Sequence, residues 1–183
     1  MRKKHYFKSL LKRFLFFHKN EDHYSKPIYS EVHLGKNVSF IEPISPVIFS
    51  SEPYLITIGD NTTISFDVVF VTHDAATRVI RNLPNENSNT VIYGPITVGK
   101  NCFIGCRSII LPNVHIGNNC IIGAGSLVNR DIPDNTVAAG NPCKVICSIS
   151  DYISKHKDDF LYIVSFDYEK KKKFLNNYLG DII

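Results

Sequence analysis

The chain has 183 residues, of which 44% are hydrophobic and 21% are charged, values typical of one globular domain with its own core. No apolar run approaches the roughly 18 residues that a membrane-spanning helix needs. The net charge of +4 comes from the first twenty residues, which hold seven Lys or Arg and no acidic residue. The remainder has 14 basic and 17 acidic residues, so the sequence argues against nucleic-acid binding by the body of the protein.

Residues 1–25 are predicted to form a basic amphipathic helix, because apolar side chains recur at helical spacing between Lys and Arg. These side chains are Tyr6, Phe7, Leu10, Leu11, Phe14, Leu15 and Phe17. The helix either packs on the end of the following domain or on another subunit, or it attaches residues 1–20 to a membrane surface. No secretory signal is predicted, because charges interrupt the apolar stretch. We therefore expect a cytoplasmic protein, with the inner face of the membrane as the alternative.

From Leu34 onward an apolar residue recurs at steps of six. A period of two marks a strand and 3.6 marks a helix, so a period of six indicates a solenoid of short stacked units. Six residues make one short strand and a corner, and three such units close a triangular coil. Counting in sixes gives Leu34, Phe40, Pro46, Glu52, Ile58, Ile64 and Phe70. Pro46 and Glu52 are poor inward residues, so the register is expected to be distorted there or to run through a loop.

The next segment interrupts this period. The step from residue 76 to Val98 is 22 residues, which is not a multiple of six. Residues of about 75–95 are therefore predicted to leave the coil and return to it. Long excursions in compact domains are usually binding loops or disorder. His73 stands at the start of this one, which favours a binding loop.

The period is clearest after the excursion. The main inward positions are Val98, Ile104, Ile110, Ile116, Ile122 and Val128, and a second inward set is Ile96, Cys102, Ser108, Val114, Cys120 and Ser126. Gly follows four of the main positions, and we expect it at corners where a Cβ would be strained. Cys102 and Cys120 are one full turn apart and are predicted to act as small hydrophobes. Cys106, Cys143 and Cys147 lack metal-site spacing, so no disulfide framework or metal is expected.

After Ile146 the six-residue rule stops. Apolar side chains then alternate with charges, which predicts one or two helices over residues 148–183. The predicted organisation is a helix over residues 1–25, a coil over residues 26–147 with its excursion, and this helical extension.

Residues 58–146 resemble the hexapeptide-repeat acyltransferases, particularly the branch of sugar, polysaccharide and xenobiotic O-acetyltransferases. The likeness lies in Val71-Thr72-His73-Asp74, in Gly94-Pro95-Ile96-Thr97-Val98-Gly99, and in two closing segments, Gly123-Ala124-Gly125-Ser126 and Val137 through Gly140-Asn141-Pro142-Cys143-Lys144 to Ile146. The resemblance implies a left-handed parallel β-helix, a homotrimer with active sites between neighbouring subunits, and acetyl-CoA lying along the coil. The implied function is O-acetylation of a sugar hydroxyl in surface polysaccharide biosynthesis. N-acetylation of an amino sugar, or acetylation of a small molecule or xenobiotic, is the alternative.

Acetyl transfer from a thioester to a hydroxyl requires that the hydroxyl lose its proton as it attacks. A histidine suits this role because its pKa lies near the working pH. His73 stands where the coil is interrupted and is predicted to be the base; the alternative is an ordinary polar residue at a loop entrance. Asp74 is predicted to orient its imidazole, with a backbone carbonyl as an equal alternative. Asp67 matches a polar active-site position of relatives and is predicted to contact the acceptor.

The acetyl-CoA contacts are carried over from the family likeness. The expected residues are Gly105, Ala124, Gly125, Asn129, Arg130, Pro142 and Lys144. Small residues let the pantetheine arm approach closely, and Arg130 and Lys144 are cations for its phosphates unless they are plain surface charges. Phe103 stands where many relatives have Trp, and we expect it to form an aromatic wall for the acceptor or for CoA.

Two other classes of protein use such a coil. Carbonic anhydrases of the γ class need three histidines at one metal, and here His73 and His115 have no third partner in the predicted coil. A silent scaffold would keep the six-residue rule without needing His73, the excursion and the closing motif together. Acetyl transfer is therefore the preferred interpretation.

Overall fold

A computed structural model describes residues 31–43 and 48–180. The helix predicted for residues 1–25, with its membrane-binding alternative, lies outside the described residues. The chain divides into two compact units, Met1–Ile149 and Ser150–Ile183.

Within residues 31–43 and 48–149, the first unit consists mainly of very short strands. In chain order these are β1 (His33–Leu34), β2 (Ser39–Phe40), β3 (Ile56–Ile58), β4 (Thr63–Ile64), β5 (Val69–Phe70), β6 (His73–Asp74), β7 (Ile92–Tyr93), β8 (Ile96–Val98), β9 (Phe103–Ile104), β10 (Ile109–Ile110), β11 (His115–Ile116), β12 (Ile121–Ile122), β13 (Leu127–Val128), β14 (Thr136–Ala139) and β15 (Lys144–Ser148). A short helix, α1 (Thr77–Arg81), lies between β6 and β7, and a 3₁₀ turn covers Pro53–Leu55.

Most of these strands form three parallel sheets. Face A contains β1, β3, β8 and β11; face B contains β2, β4, β9, β12 and β14; and face C contains β5, β10 and β13. The chain visits the faces in the repeating order A, B, C, so each face is separated from the next by an edge, which we name A–B, B–C or C–A. This is the triangular coil that the six-residue period predicted, and it agrees with the left-handed parallel β-helix that the family resemblance implied.

The core confirms the predicted inward positions. The six main inward side chains from Val98 to Val128 are at most 1% exposed, and the second set from Ile96 to Ser126 is at most 3% exposed. Their alternate neighbours point outward, as the two-residue period of a strand requires. Burial of this continuous apolar column is the main force that holds the coils together.

The expectation that a Cβ would be strained at the repeat glycines is confirmed, but the cause is not an unusual φ. Gly99 and Gly105 do not adopt the left-handed backbone conformation. A Cβ on Gly99 would lie 2.5 Å from the carbonyl oxygen of Gly117, and one on Gly105 would lie 2.5 Å from the backbone nitrogen of Ala124. The glycines are needed because successive coils approach each other too closely for any side chain.

Asparagines supply most of the left-handed corners instead. Asn61, Asn101 and Asn119 have φ between 54° and 58°, a conformation that Asn tolerates better than most residues. Their amides stack along the A–B edge: Asn101 donates to Asn119 at 2.8 Å, and Asn119 donates to Asn135 at 2.9 Å. Asn101 and Asn119 thereby each donate a side-chain hydrogen bond to the next coil.

The strand register shows where the chain leaves the coil. Phe103 pairs with Ile121, eighteen positions on, which is one full turn. Thr63 pairs with Phe103, forty positions on, so this turn carries an excursion of twenty-two residues. Ser39 pairs with Thr63, twenty-four positions on, so the first turn has six extra residues. The distortion expected near Glu52 is confirmed, because Phe49, only 1% exposed, fills the core beside Phe70. Pro46 lies outside the described residues.

The end of the coil departs from a purely parallel arrangement. β14 pairs antiparallel with β15, with Ala139 opposite Lys144. Gly140, with a φ of 103°, begins the tight turn between the two strands. The closing motif of the sequence is therefore a hairpin on face B rather than another turn of the coil.

The second unit is helical, as predicted for the end of the chain. Helix α2 (Ile149–His156) begins at the unit boundary, a 3₁₀ turn covers Lys157–Asp159, and α3 spans Tyr168–Leu179. The Asp167 carboxylate caps α3 by accepting from the backbone nitrogen of Lys170 at 2.8 Å. No helix within residues 31–43 and 48–180 is both long and apolar enough to cross a bilayer.

Candidate active site

The excursion is a structured hairpin on the C–A edge. Its two strands, β6 and β7, are antiparallel and place His73 opposite Tyr93. The backbone nitrogen of Gly94 donates to the carbonyl of Thr72 at 2.9 Å, which closes the base of the excursion. At its start, the Thr77 hydroxyl ties α1 to β6 by donating to the carbonyl of Asp74 at 2.8 Å. We call residues 73–94 the hairpin arm.

The imidazole of His73 is held by a carboxylate. Its Nδ1 lies 2.9 Å from Oε2 of Glu52, so a proton on Nδ1 is donated to that oxygen. Glu52 also accepts from the hydroxyl of Thr72 at 2.6 Å and from the hydroxyl of Ser51 at 2.7 Å. The Glu52 side chain is 12% exposed and that of His73 is 31% exposed. The arrangement fixes the ring and leaves Nε2 as the nitrogen available for chemistry.

The surroundings keep Glu52 ionised. Burial by itself raises the pKa of this carboxyl, but the hydrogen bonds from Thr72, Ser51 and His73 outweigh burial and bring the pKa below its usual value. A carboxylate in this state stabilises positive charge on the imidazole when His73 takes up a proton.

The lowered pKa of Glu52 predicts a dependence of stability on pH. Because the folded state binds this proton less readily than the unfolded state, Glu52 contributes stability above its unfolded pKa of about 4.3 and loses it as pH falls through the lowered value. We therefore expect the difference in free energy of unfolding between wild type and Glu52→Gln to narrow from pH 5.5 to pH 3. Urea unfolding across this range measures it. A difference that stays constant or grows would contradict the assignment.

His73 and Glu52 open into a small cleft of about 180 Å³ between the coil and the hairpin arm. Its lining is Ser51, Glu52, His73, Asp74, Ala75, Thr77, Arg78, Arg81, Val91 and Tyr93. The Tyr93 ring lies edge-on to the imidazole, with 6.0 Å between ring centres. The cleft therefore offers a base, polar groups and an aromatic wall in one place.

The orienting contact predicted for Asp74 or a backbone carbonyl belongs to Glu52. Asp74 lines the cleft, but its Oδ1 accepts from the backbone nitrogen of Ala76 at 2.8 Å and so shapes the turn into α1. The sequence carried one signal for Glu52, a charged residue at a position that the six-residue count assigns to the core. The sequence carried no such signal for Arg78, Arg81 or Tyr93, because only the hairpin arm brings them into the cleft.

Two predicted acceptor residues lie away from this cleft. Asp67 occupies a left-handed corner on the B–C edge, with Oδ2 3.7 Å from Nε of Arg107 on the next coil. Phe103 projects outward from face B and is 40% exposed. Neither residue lines the His73 cleft of the same protomer.

The predicted acetyl-CoA residues fall into two groups. Asn129 and Arg130 are exposed and follow β13 onto the C–A edge, the edge that carries His73. Ala124, Gly125, Pro142 and Lys144 are exposed near the B–C edge, where the closing turn is bonded to Leu127. A Cβ on Gly125 would meet nothing within 4 Å, so open space faces this residue. Gly105 is buried, and the next coil occupies the space that its missing side chain leaves.

None of the five cysteines lines the cleft. Cys102, Cys120 and Cys143 are buried with free thiols, and burial raises the pKa of Cys143. Within residues 31–43 and 48–180, no three His, Cys, Asp or Glu side chains are grouped so as to hold a metal ion.

Comparison with known proteins agrees with this geometry. Residues 95–130 match the family model "Bacterial transferase hexapeptide (six repeats)". The chain is 44% identical over 146 residues to protein CapG of Staphylococcus aureus, covering 80% of this chain and 83% of that protein. It is 38% identical over 129 residues to the galactoside O-acetyltransferase of Escherichia coli K12, covering 68% of this chain and 60% of that protein.

Solved structures show the same fold. The maltose O-acetyltransferase of Clostridium difficile 630 superposes with a TM-score of 0.52 at 29% identity, over 79% of this chain and 84% of that chain. A hexapeptide-repeat acetyltransferase from Vibrio cholerae superposes with a TM-score of 0.51 at 22% identity, over 80% of this chain and 89% of that chain. The repeated coil, the histidine in its cleft and these relatives lead to one conclusion: the chain belongs to the hexapeptide-repeat acetyltransferases and is an acyltransferase.

Proposed function

We propose that this protein transfers an acetyl group from acetyl-CoA to a sugar hydroxyl in the biosynthesis of a surface polysaccharide. The observation that supports this most strongly is the His73–Glu52 pair at the mouth of the cleft, with Nδ1 of His73 held and Nε2 available. The similarity to a galactoside O-acetyltransferase supports the substrate class.

The proposed chemistry needs one base and no change in redox state. Nε2 of His73 accepts the proton of the acceptor hydroxyl while its oxygen attacks the thioester carbonyl. The tetrahedral intermediate then collapses, the C–S bond breaks, and the proton passes from His73 to the sulfur of the departing CoA. Glu52 stabilises the imidazolium that forms between these steps.

The C–A edge offers a path for the donor toward His73. The backbone nitrogen of Val71 donates to the carbonyl of Ile110, and that of Leu111 donates to the carbonyl of Val128. Val71, Leu111 and Asn129 are therefore stacked on successive coils, so Asn129 lies about 10 Å above Val71. A pantetheine arm bound along this edge would run from a phosphate near Arg130 toward the base. Arg130 and Lys144 would hold the phosphates by charge-assisted hydrogen bonds.

We propose that the active protein is a homotrimer. In one protomer the predicted site residues lie on two edges: His73 and Arg130 on C–A, and Asp67 and Gly125 near B–C. A ring of three protomers would place the C–A edge of each protomer against the B–C edge of its neighbour. Each site would then be completed between two subunits. We place the protein in the cytoplasm, with the inner face of the membrane as the alternative.

Replacing Glu52 tests how the base is held. We expect Glu52→Gln to lower kcat by at least about tenfold, because the amide no longer stabilises the imidazolium or fixes the tautomer. The KM for acetyl-CoA should change little, since Glu52 lies away from the proposed donor residues. Steady-state release of the CoA thiol with a sugar acceptor measures both constants.

Asp74→Asn is the matched comparison, because it also removes one carboxylate from the cleft. Its effect on kcat should be smaller, since Asp74 bonds to the turn before α1 rather than to the imidazole. If Asp74→Asn lowers kcat as much as Glu52→Gln or more, Asp74 is the orienting residue and the assignment is wrong.

The proposed function itself is tested with a panel of acceptors. Release of the CoA thiol that depends on a sugar lacking amino groups, with an ester product in the mass spectrum, is the expected result. Release that depends only on amino sugars and gives an amide would establish the alternative N-acetyltransferase. A protein that neither binds acetyl-CoA nor turns it over with any acceptor would be a scaffold.

A further inference from the structure

The cleft contains positive charge that the proposed reaction does not use. Arg78 and Arg81 both line it and lie three positions apart on α1, so they occupy the same side of that helix. The reaction at His73 needs a base and a path for one proton, and neither guanidinium is placed to supply these.

The two arginines form no ion pair with the carboxylates beside them. Within the described ranges, Glu52 is bonded to His73, Thr72 and Ser51, and Asp74 to the backbone of Ala76. Arg81 uses Nε to donate to the carbonyl of Thr90, which fixes its guanidinium and leaves its terminal nitrogens as donors. No hydrogen bond or ion pair of the Arg78 side chain occurs in the same ranges.

Guanidinium groups arranged in this way suit one class of ligand. Their planar N–H pairs match the oxygens of a carboxylate or phosphate, and an anion between them relieves their mutual repulsion. The cleft, at about 180 Å³, is smaller than the about 300–1,000 Å³ of pockets for drug-sized ligands. It therefore suits a single sugar residue with its charged substituent rather than a long oligosaccharide.

We propose that the acceptor is an anionic sugar, whose carboxylate or phosphate binds Arg78 and Arg81 while one of its hydroxyls meets Nε2 of His73. This inference rests on the proposed acetyl transfer and adds the charge of its substrate. The hairpin arm supplies both groups, because the chain runs from His73 through a tight turn into α1. Arg78 and Arg81 are thus specificity residues, and His73 remains the base.

The test compares three acceptors that share one ring: methyl galactoside, methyl galacturonide and galactose 1-phosphate. We expect the wild type to show kcat/KM at least about tenfold higher for a charged acceptor than for methyl galactoside. Methyl galacturonide tests a carboxylate as the source of charge, and galactose 1-phosphate tests a phosphate. Arg78→Gln should remove this preference, and Arg81→Gln should weaken it, without changing the KM for acetyl-CoA. Lys172→Gln, which removes an exposed cation from the helical unit, should preserve it.

Calorimetric binding of the same sugars without acetyl-CoA separates this inference from the proposed function. Binding of a charged sugar that weakens in Arg78→Gln, with no acetyl transfer to any acceptor, would support the anion site and sink the transferase proposal. Raising the NaCl concentration from 50 to 500 mM with the wild-type protein gives a readout that needs no variant. The higher salt should weaken the binding of the charged sugars and leave the binding of the neutral sugar unchanged. The inference would be overturned if the neutral sugar is acetylated and bound as well as the charged sugars, or better. It would also be overturned if the preference for charged sugars persists in Arg78→Gln.

Discussion

Replacing His73 by alanine lowers kcat for acetyl transfer by about 10²–10⁴-fold, the usual contribution of a positioned general base. The loss arises because the acceptor hydroxyl must then give its proton to water, and no other imidazole from residues 31–43 or 48–180 lines the cleft. The KM for acetyl-CoA should stay within about twofold, since the base acts in the transition state rather than in donor binding. Thiol release under saturating acetyl-CoA, with the acceptor varied, measures the effect.

His115→Ala is the control for this change. His115 is an exposed residue on face A, one of the outward positions of the coil, and its loss should leave kcat unaltered. The midpoint of thermal unfolding should be measured for both variants, because His73→Ala also removes a hydrogen bond to the largely buried Glu52 side chain. Full activity of His73→Ala would refute the mechanism, whatever the control shows.

Replacing Ile110 by alanine should lower the free energy of unfolding by about 2–5 kcal/mol, the range for truncating a buried Leu or Ile. Ile110 is 0% exposed and lies in the central column between the three faces. The coils above and below are held by backbone bonds on every side, so they relax only partly around the cavity. Urea unfolding at a fixed protomer concentration measures the change.

The neighbouring residue provides a matched control for this prediction. Ile109 has the same side chain in the same strand, but it points outward and is 40% exposed. Ile109→Ala should cost less than about 1 kcal/mol, as expected for a partly exposed site. Equal losses for Ile109→Ala and Ile110→Ala would mean that the inward column does not carry the stability of the coil.

The inward residues of the coil could be predicted from the sequence because the repeat is strict between Val98 and Val128. Each apolar side chain there faces only the three-sided core, so the period records the geometry directly. His73 could be located for a related reason: it stands beside the one long break in the period. These parts of the fold need only the spacing of residue types along the chain.

Glu52 could not be predicted because its contact with His73 depends on a distorted turn. The first turn contains twenty-four residues instead of eighteen, so counting in sixes places Glu52 in the core and leaves Phe49 out of it. The extra residues instead carry Glu52 toward Thr72 and His73. Only the three-dimensional path of this turn reveals the pair.

The reason for the repeat glycines also lay beyond the sequence. An apolar residue followed by glycine suggests a turn that needs an unusual φ, yet it is the asparagines that adopt this conformation at several corners. The glycines respond to the distance between coils, which no local pattern encodes. The position of the α1 arginines could not be predicted from a local pattern either, because it follows from the pairing of β6 with β7.

The hairpin arm joins the coil through the backbone hydrogen bond between Thr72 and Gly94. Strand β4 before the arm still pairs in register with strand β9 after it. A segment of different length or composition between Thr72 and Gly94 would therefore leave the coil unaltered. Because His73 begins the arm, the residues between it and Gly94 form one contiguous module that evolution can exchange while the proposed base and the coil are kept. Chimaeras that swap this module between relatives offer a direct route to new acceptor preferences.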